Sequence, residues 1–206
     1  MAKKIKKRTS MKKATMFSAI ISLVAFLYKM GLGIISMSII LMVASISTLI
    51  VFICKVIFIK NLTGTRERKR KAYLLMLVLA FSFGILFLLF AVLKVGGIDT
   101  ASKNNFEGII GYIFISFVVL MFILSIINLK GALEKTDIMV MGLKEMTFVS
   151  ALADAVIIEE FLYKVIAQYQ SIEFLTYLNS FFPLIVAALM LSVPIFMFVR
   201  YKRYEA

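Results

Sequence analysis

Long apolar stretches, each close to the length that crosses a lipid bilayer, dominate the pattern of hydrophobic and polar positions. Three of them carry no charged residue: 72–93, 109–129 and 181–199. The hydrocarbon core of a bilayer is about 30 Å thick, and a helix rises about 1.5 Å per residue. About twenty apolar residues therefore cross it as a helix. Each of these stretches predicts a transmembrane helix.

The region 14–59 is also apolar, interrupted only by Lys29 and Lys55. As a single helix it would be about 68 Å long, twice what a bilayer accommodates, so we expect the chain to double back within it. The two glycines of 28–33 favour a turn there, with Lys29 at an aqueous boundary. This predicts a short first span over 13–28 and a longer second span over 33–59.

The segment 146–168 is ambiguous, because an apolar first half containing Asp154 precedes a charged second half. Hydropathy alone leaves open whether it crosses the membrane, lies on its surface or re-enters. Cytoplasmic segments collect Lys and Arg, and six spans place the main basic clusters on one side of the membrane. We therefore predict an all-α bundle of six transmembrane helices, one domain over 1–206, with both termini in the cytoplasm.

Composition supports a membrane location and excludes several kinds of chemistry. The chain of 206 residues is 62% hydrophobic, 17% charged and has a net charge of +13, with a mean hydropathy of +1.00. It contains no His and one Cys, so a Ser-His-Asp triad, a His-ligated zinc and an internal disulfide are all excluded. We expect a non-enzymatic protein with no metal site and no cofactor.

A basic loop precedes the third predicted span. We predict that it flanks the membrane at the cytoplasmic face and contacts anionic lipid head groups, and we expect no nucleic-acid partner. Its cations are Arg66, Arg68, Lys69, Arg70 and Lys71.

The basic N-terminus followed by an apolar run resembles a secretory signal peptide. We expect a retained first span, because no small-residue cleavage motif follows.

Asp154 is the main candidate functional residue, because an acid inside a span costs roughly 2.5–3.5 kcal/mol at mid-depth on an insertion scale. Ser150 lies one helical turn earlier, on the same face. The alternative is a packing contact between helices. We also expect Glu160 to pair with Lys164 along the helix, and Glu159 to meet Lys29 from the first hairpin.

The segment Glu159-Glu160-Phe161-Leu162-Tyr163-Lys164 resembles EExxxR, the first motif of the CAAX-type intramembrane proteases. Lys164 stands in place of the Arg, and the active site of that family also needs histidines, which this chain lacks. The resemblance covers six residues and implies no proteolytic activity.

These features favour a small transport component, or a membrane subunit that works with a membrane protein partner, built around an intramembrane acidic site. Size and span count resemble, in outline, the substrate-binding subunits of vitamin-type uptake systems. The alternative is a structural or regulatory membrane protein that acts through helix–helix and lipid contacts. The abundance of Lys, Ile and Phe, with two Pro and no Trp, points to the inner membrane of a bacterium.

Overall fold

The structure, a computed structural model, describes residues 2–97, 109–133, 137–167 and 173–205. The described residues form an all-α fold, as predicted. Its helices are α1 (Ala2–Ile35), α2 (Ile39–Asn61), α3 (Arg66–Val95), α4 (Ile109–Leu133), α5 (Ile138–Ala167) and α6 (Glu173–Glu205).

Four of these helices contain stretches long and apolar enough to cross a membrane: Ser10–Ile35, Ile39–Asn61, Arg66–Val95 and Glu173–Tyr204. In α4 the described apolar stretch is shorter, Ile115–Ile127. Helix α5 has 30 residues and carries several acids. The apolar helices are compatible with a membrane protein.

The turn between α1 and α2 does not lie at 28–33, where the sequence predicted it. Helix α1 continues through that segment and ends at Ile35. The chain turns at 36–38, where Met37 has a positive φ of 50° and the Ser38 side chain caps α2 by accepting from the Leu41 amide. Lys29 does not mark an aqueous boundary, because it is buried in the bundle, and nothing ends the helix there.

Helix α5 lies at the centre of the bundle. It packs against α2, α3, α4 and α6, whereas α1 packs on α2 and α4 packs on α5. The segment predicted at 146–168 belongs to α5, a single helix that starts at Ile138 rather than at 146. Residue 168, the predicted end of that segment, lies outside the described residues. The core follows this arrangement, since Val149, Ala153 and Val156 of α5 are almost completely buried.

Two glycines allow close helix approach around this core. A Cβ at Gly142 of α5 would lie 2.7 Å from the ring of Tyr73 in α3. A Cβ at Gly84 of α3 would lie 2.8 Å from the side chain of Leu191 in α6. Both distances are shorter than carbon–carbon contact, so these positions fix the spacing of α3 against its neighbours.

We predict that Gly142→Ala destabilises the protein by about 1–3 kcal/mol, because the added methyl group overpacks against the Tyr73 ring. Gly31→Ala is the matched control: its Cβ would have no neighbour within 4 Å, and alanine favours the helix interior by about 0.5–1 kcal/mol. Thermal unfolding of the purified protein in detergent measures both. Equal effects of the two substitutions would contradict this account of α5 packing.

Candidate polar site on the fifth helix

Asp154 of α5 forms a buried ion pair with Lys29 of α1. The Lys29 Nζ donates to Asp154 Oδ1 at 2.5 Å, and the two residues are only 4% and 5% exposed. Burying two charges costs several kcal/mol per ion, which only close pairing and further hydrogen bonds offset. Each charge therefore depends on the other to remain in the bundle.

Hydroxyl groups of α2 support this pair. Lys29 Nζ also donates to Thr48 Oγ1 at 3.3 Å. One turn before Asp154, the hydroxyl of Ser150 lies 2.9 Å from that of Ser47. These contacts place Asp154, Ser150 and Lys29 in one polar network that joins α1, α2 and α5.

A partly open pocket of about 40 Å³ borders the ion pair, between α1, α2, α4 and α5. We call it the central polar pocket; its polar lining includes Ser22, Lys29, Thr48, Lys55, Ser150 and Asp154. Since one water needs about 10–15 Å³ of such space, the pocket has room for about three or four waters or one small ion. It is too small for a vitamin-sized solute in this conformation.

Lys55 of α2 lies at the other end of the central polar pocket and is 8% exposed. It donates to Ser22 Oγ at 2.6 Å and to the backbone oxygen of Ser18 at 3.0 Å, both in α1. Lys55 was not among the site residues predicted from the sequence. Its position inside an apolar run was the available signal.

Two residues of the predicted site have partners that the sequence did not predict. Glu160 pairs with Lys94 of α3 at 2.6 Å, and Lys94 also donates to Asn179 of α6 at 2.6 Å. Lys29 meets Asp154 rather than Glu159, because Glu159 lies five residues further on and about 140° around the helix from Asp154.

The remaining predicted residues of this site have different surroundings. Lys164 is half-buried near the end of α5. The Glu159 Oε2 atom is buried, and among the described residues no hydrogen-bond partner meets it. Glu159 is thus the least satisfied acid of the helix.

A further polar cluster, which sequence reasoning missed, lies near the start of α5. Glu145, 4% exposed, accepts from Arg200 of α6 and from the Tyr73 hydroxyl of α3 at 3.2 Å. That hydroxyl also lies 3.3 Å from the backbone oxygen of Met197. Glu145 lies nine residues before Asp154, so the two acids face opposite sides of α5.

The basic loop predicted before the third span is helical, because α3 begins at Arg66, and several of its cations contact protein groups. Arg66 lies over the Tyr204 ring at 4.9 Å, and Arg70 lies over the Tyr201 ring at 5.6 Å. Lys69 pairs with Asp137 at 2.7 Å, and Lys71 pairs with Glu67 at 2.7 Å. Arg68 is exposed. The first turns of α3 thus contact the end of α6 and the start of α5, and their lipid contacts remain a prediction.

Across the described ranges, no three Asp, Glu or Cys side chains come together in a group that could hold a metal ion. No family model, curated protein or solved structure matches the chain.

We predict that Lys29→Met and Asp154→Asn each destabilise the protein by about 3–5 kcal/mol, because each leaves one buried charge unpaired. The double variant should recover most of that loss, since neither buried charge remains. Unfolding of the four proteins in detergent gives the coupling energy. An exposed pair, Glu67 and Lys71, provides the matched control, and solvent screening should make its coupling far smaller than that of the buried pair. Equal coupling in the two pairs would show that the buried pair is not a structural unit.

Proposed function

We propose that the chain is a non-enzymatic, multi-pass membrane protein that acts as a small transport component or as the membrane subunit of a larger complex. The observation that carries the proposal is the buried Lys29–Asp154 ion pair at the edge of the central polar pocket. Ionisable groups within membrane-spanning helices are rare, and they commonly mark ion or solute pathways.

The pair has a chemistry suited to transport. A proton or cation that binds Asp154 competes with Lys29 for the same carboxylate, and an anion competes with Asp154 for Lys29. Either event breaks the 2.5 Å contact that joins α1 to α5. Occupancy of the pocket is thereby coupled to the packing of two helices, which is what a transport cycle requires.

We propose six transmembrane helices with both termini in the cytoplasm. Helix α5, of 30 residues, is about 45 Å long and so exceeds the hydrocarbon thickness. Three of its acids, Glu145, Asp154 and Glu160, pair with cations, which lowers the cost of placing this helix in lipid. Both ends of the chain and the basic loop then share the cytoplasmic side, as the bias of Lys and Arg favours. The composition favours a bacterial inner membrane.

The alternative is a structural or regulatory membrane protein without a transported substrate. It is favoured by the fact that Glu145, Asp154 and Glu160 each have a cationic partner, as expected for acids that only hold helices together. A membrane protein partner is compatible with both proposals. Copurification in mild detergent would identify it.

Ion flux in proteoliposomes tests the transport proposal. We expect the purified chain to carry at least one of protons, sodium, potassium or chloride above protein-free vesicles, measured with ion-selective fluorescent dyes. The double variant Lys29→Met/Asp154→Asn should fold yet lose this flux, because the pocket loses its exchangeable pair. A double variant of the exposed pair, Glu67→Gln/Lys71→Met, should keep it.

Two outcomes of this experiment contradict the transport proposal. One is wild-type protein that carries none of these ions. The other is flux that persists unchanged in the Lys29→Met/Asp154→Asn variant. Either outcome favours the structural alternative.

A further inference from the structure

The two ends of the central polar pocket differ in charge. At one end, Lys29 meets the carboxylate of Asp154. At the other end, two helical turns or about 10 Å along α2 from Thr48, Lys55 hydrogen bonds only to neutral oxygen atoms. No carboxylate of the described residues lies within 4 Å of the Lys55 ammonium. Lined by two ammonium groups and one carboxylate, the pocket has an excess of positive charge.

The hydrogen-bond donors at the Lys55 end are not fully used. An ammonium group has three N–H donors, and within the described part of the chain Lys55 uses two of them, on Ser22 and Ser18. The Ser22 hydroxyl accepts from Lys55 and keeps its own proton to donate. By contrast, the nearby Ser125 and Thr147 hydroxyls already donate to backbone oxygens of their own helices.

A buried charge without a counter-ion is strongly unfavourable, and a bound ion of opposite charge removes that cost. The lining at this end also offers N–H and O–H donors, which are the groups that hold anions. The volume of about 40 Å³ limits the ion to one of roughly the size of a few water molecules.

We propose that the Lys55 end of the central polar pocket binds a small monovalent anion of the halide class, held by the Lys55 ammonium and the Ser22 hydroxyl between α1 and α2. Binding neutralises Lys55 and fastens α1 to α2 at a point two turns from the Lys29–Asp154 pair. This site goes beyond the proposed function, because it exists whether or not the protein transports a solute.

Thermal unfolding of the purified full-length protein in detergent tests the site, with sodium chloride replaced stepwise by sodium gluconate at constant sodium. We expect the unfolding midpoint of the wild type to rise saturably with chloride, because a ligand that binds only the folded state stabilises it. Bromide should act like chloride. Gluconate should not, because it is too large for a pocket of about 40 Å³.

Two variants and a control locate the anion. Lys55→Gln should abolish the chloride dependence, and Ser22→Ala, which keeps the ammonium, should raise the half-saturating chloride concentration about tenfold, as expected for the loss of a hydrogen bond to a charged group. Lys60→Gln changes an exposed lysine of the same helix and should leave the response unchanged.

The proposal is overturned if the wild type unfolds at the same temperature in chloride and in gluconate. An uncharged Lys55 would give the same result, because it would not attract an anion. It is equally overturned if Ser22→Ala responds to chloride as the wild type does, a readout that stands even if Lys55→Gln fails to fold. Since no flux is measured, failure here is distinct from failure of the transport proposal.

Discussion

The bundle depends on one constraint: three carboxylates of α5 are buried among apolar helices, and each must meet a cation there. Glu145, Asp154 and Glu160 are between 4% and 6% exposed, and they pair with Arg200, Lys29 and Lys94 respectively. An unpaired charge at such a position is far costlier than any single apolar contact. The positions of α1, α3 and α6 are therefore tied to α5 by charge as well as by packing.

The direction of each acid explains which helices it joins. At about 100° per residue, Glu145 and Glu160 lie within about 60° of each other around α5, and Asp154 lies on the opposite side from Glu145. The first two acids meet α3 and α6, whereas Asp154 meets α1 and, through Lys29, Thr48 of α2. The central polar pocket lies on the Asp154 side, between the two peripheral helices α1 and α4. Opening that side would leave the α3–α5–α6 contacts intact.

The sequence was sufficient to predict the helical class and the long apolar helices, because these follow from local hydropathy. It was not sufficient to predict partners, since Lys29 and Asp154 lie 125 positions apart and only the fold brings them together. Treating Lys29 as a boundary also misplaced the first turn, which lies at 36–38. Lys55 and Glu145 were not predicted as site residues, because their partners lie on other helices and only the fold brings them together.

The central claim is that α5 crosses the membrane at the centre of the bundle, with its buried acids paired to cations of other helices. Cysteine labelling at the two ends of α5 tests this claim most directly. Asp137 precedes α5 and Phe174 follows it at the start of α6; each is replaced by Cys in a background in which the buried Cys54 is replaced by Ser. A membrane-impermeant maleimide applied to sealed, oriented vesicles should label the two positions from opposite sides. Labelling of both positions from the same side would contradict the claim.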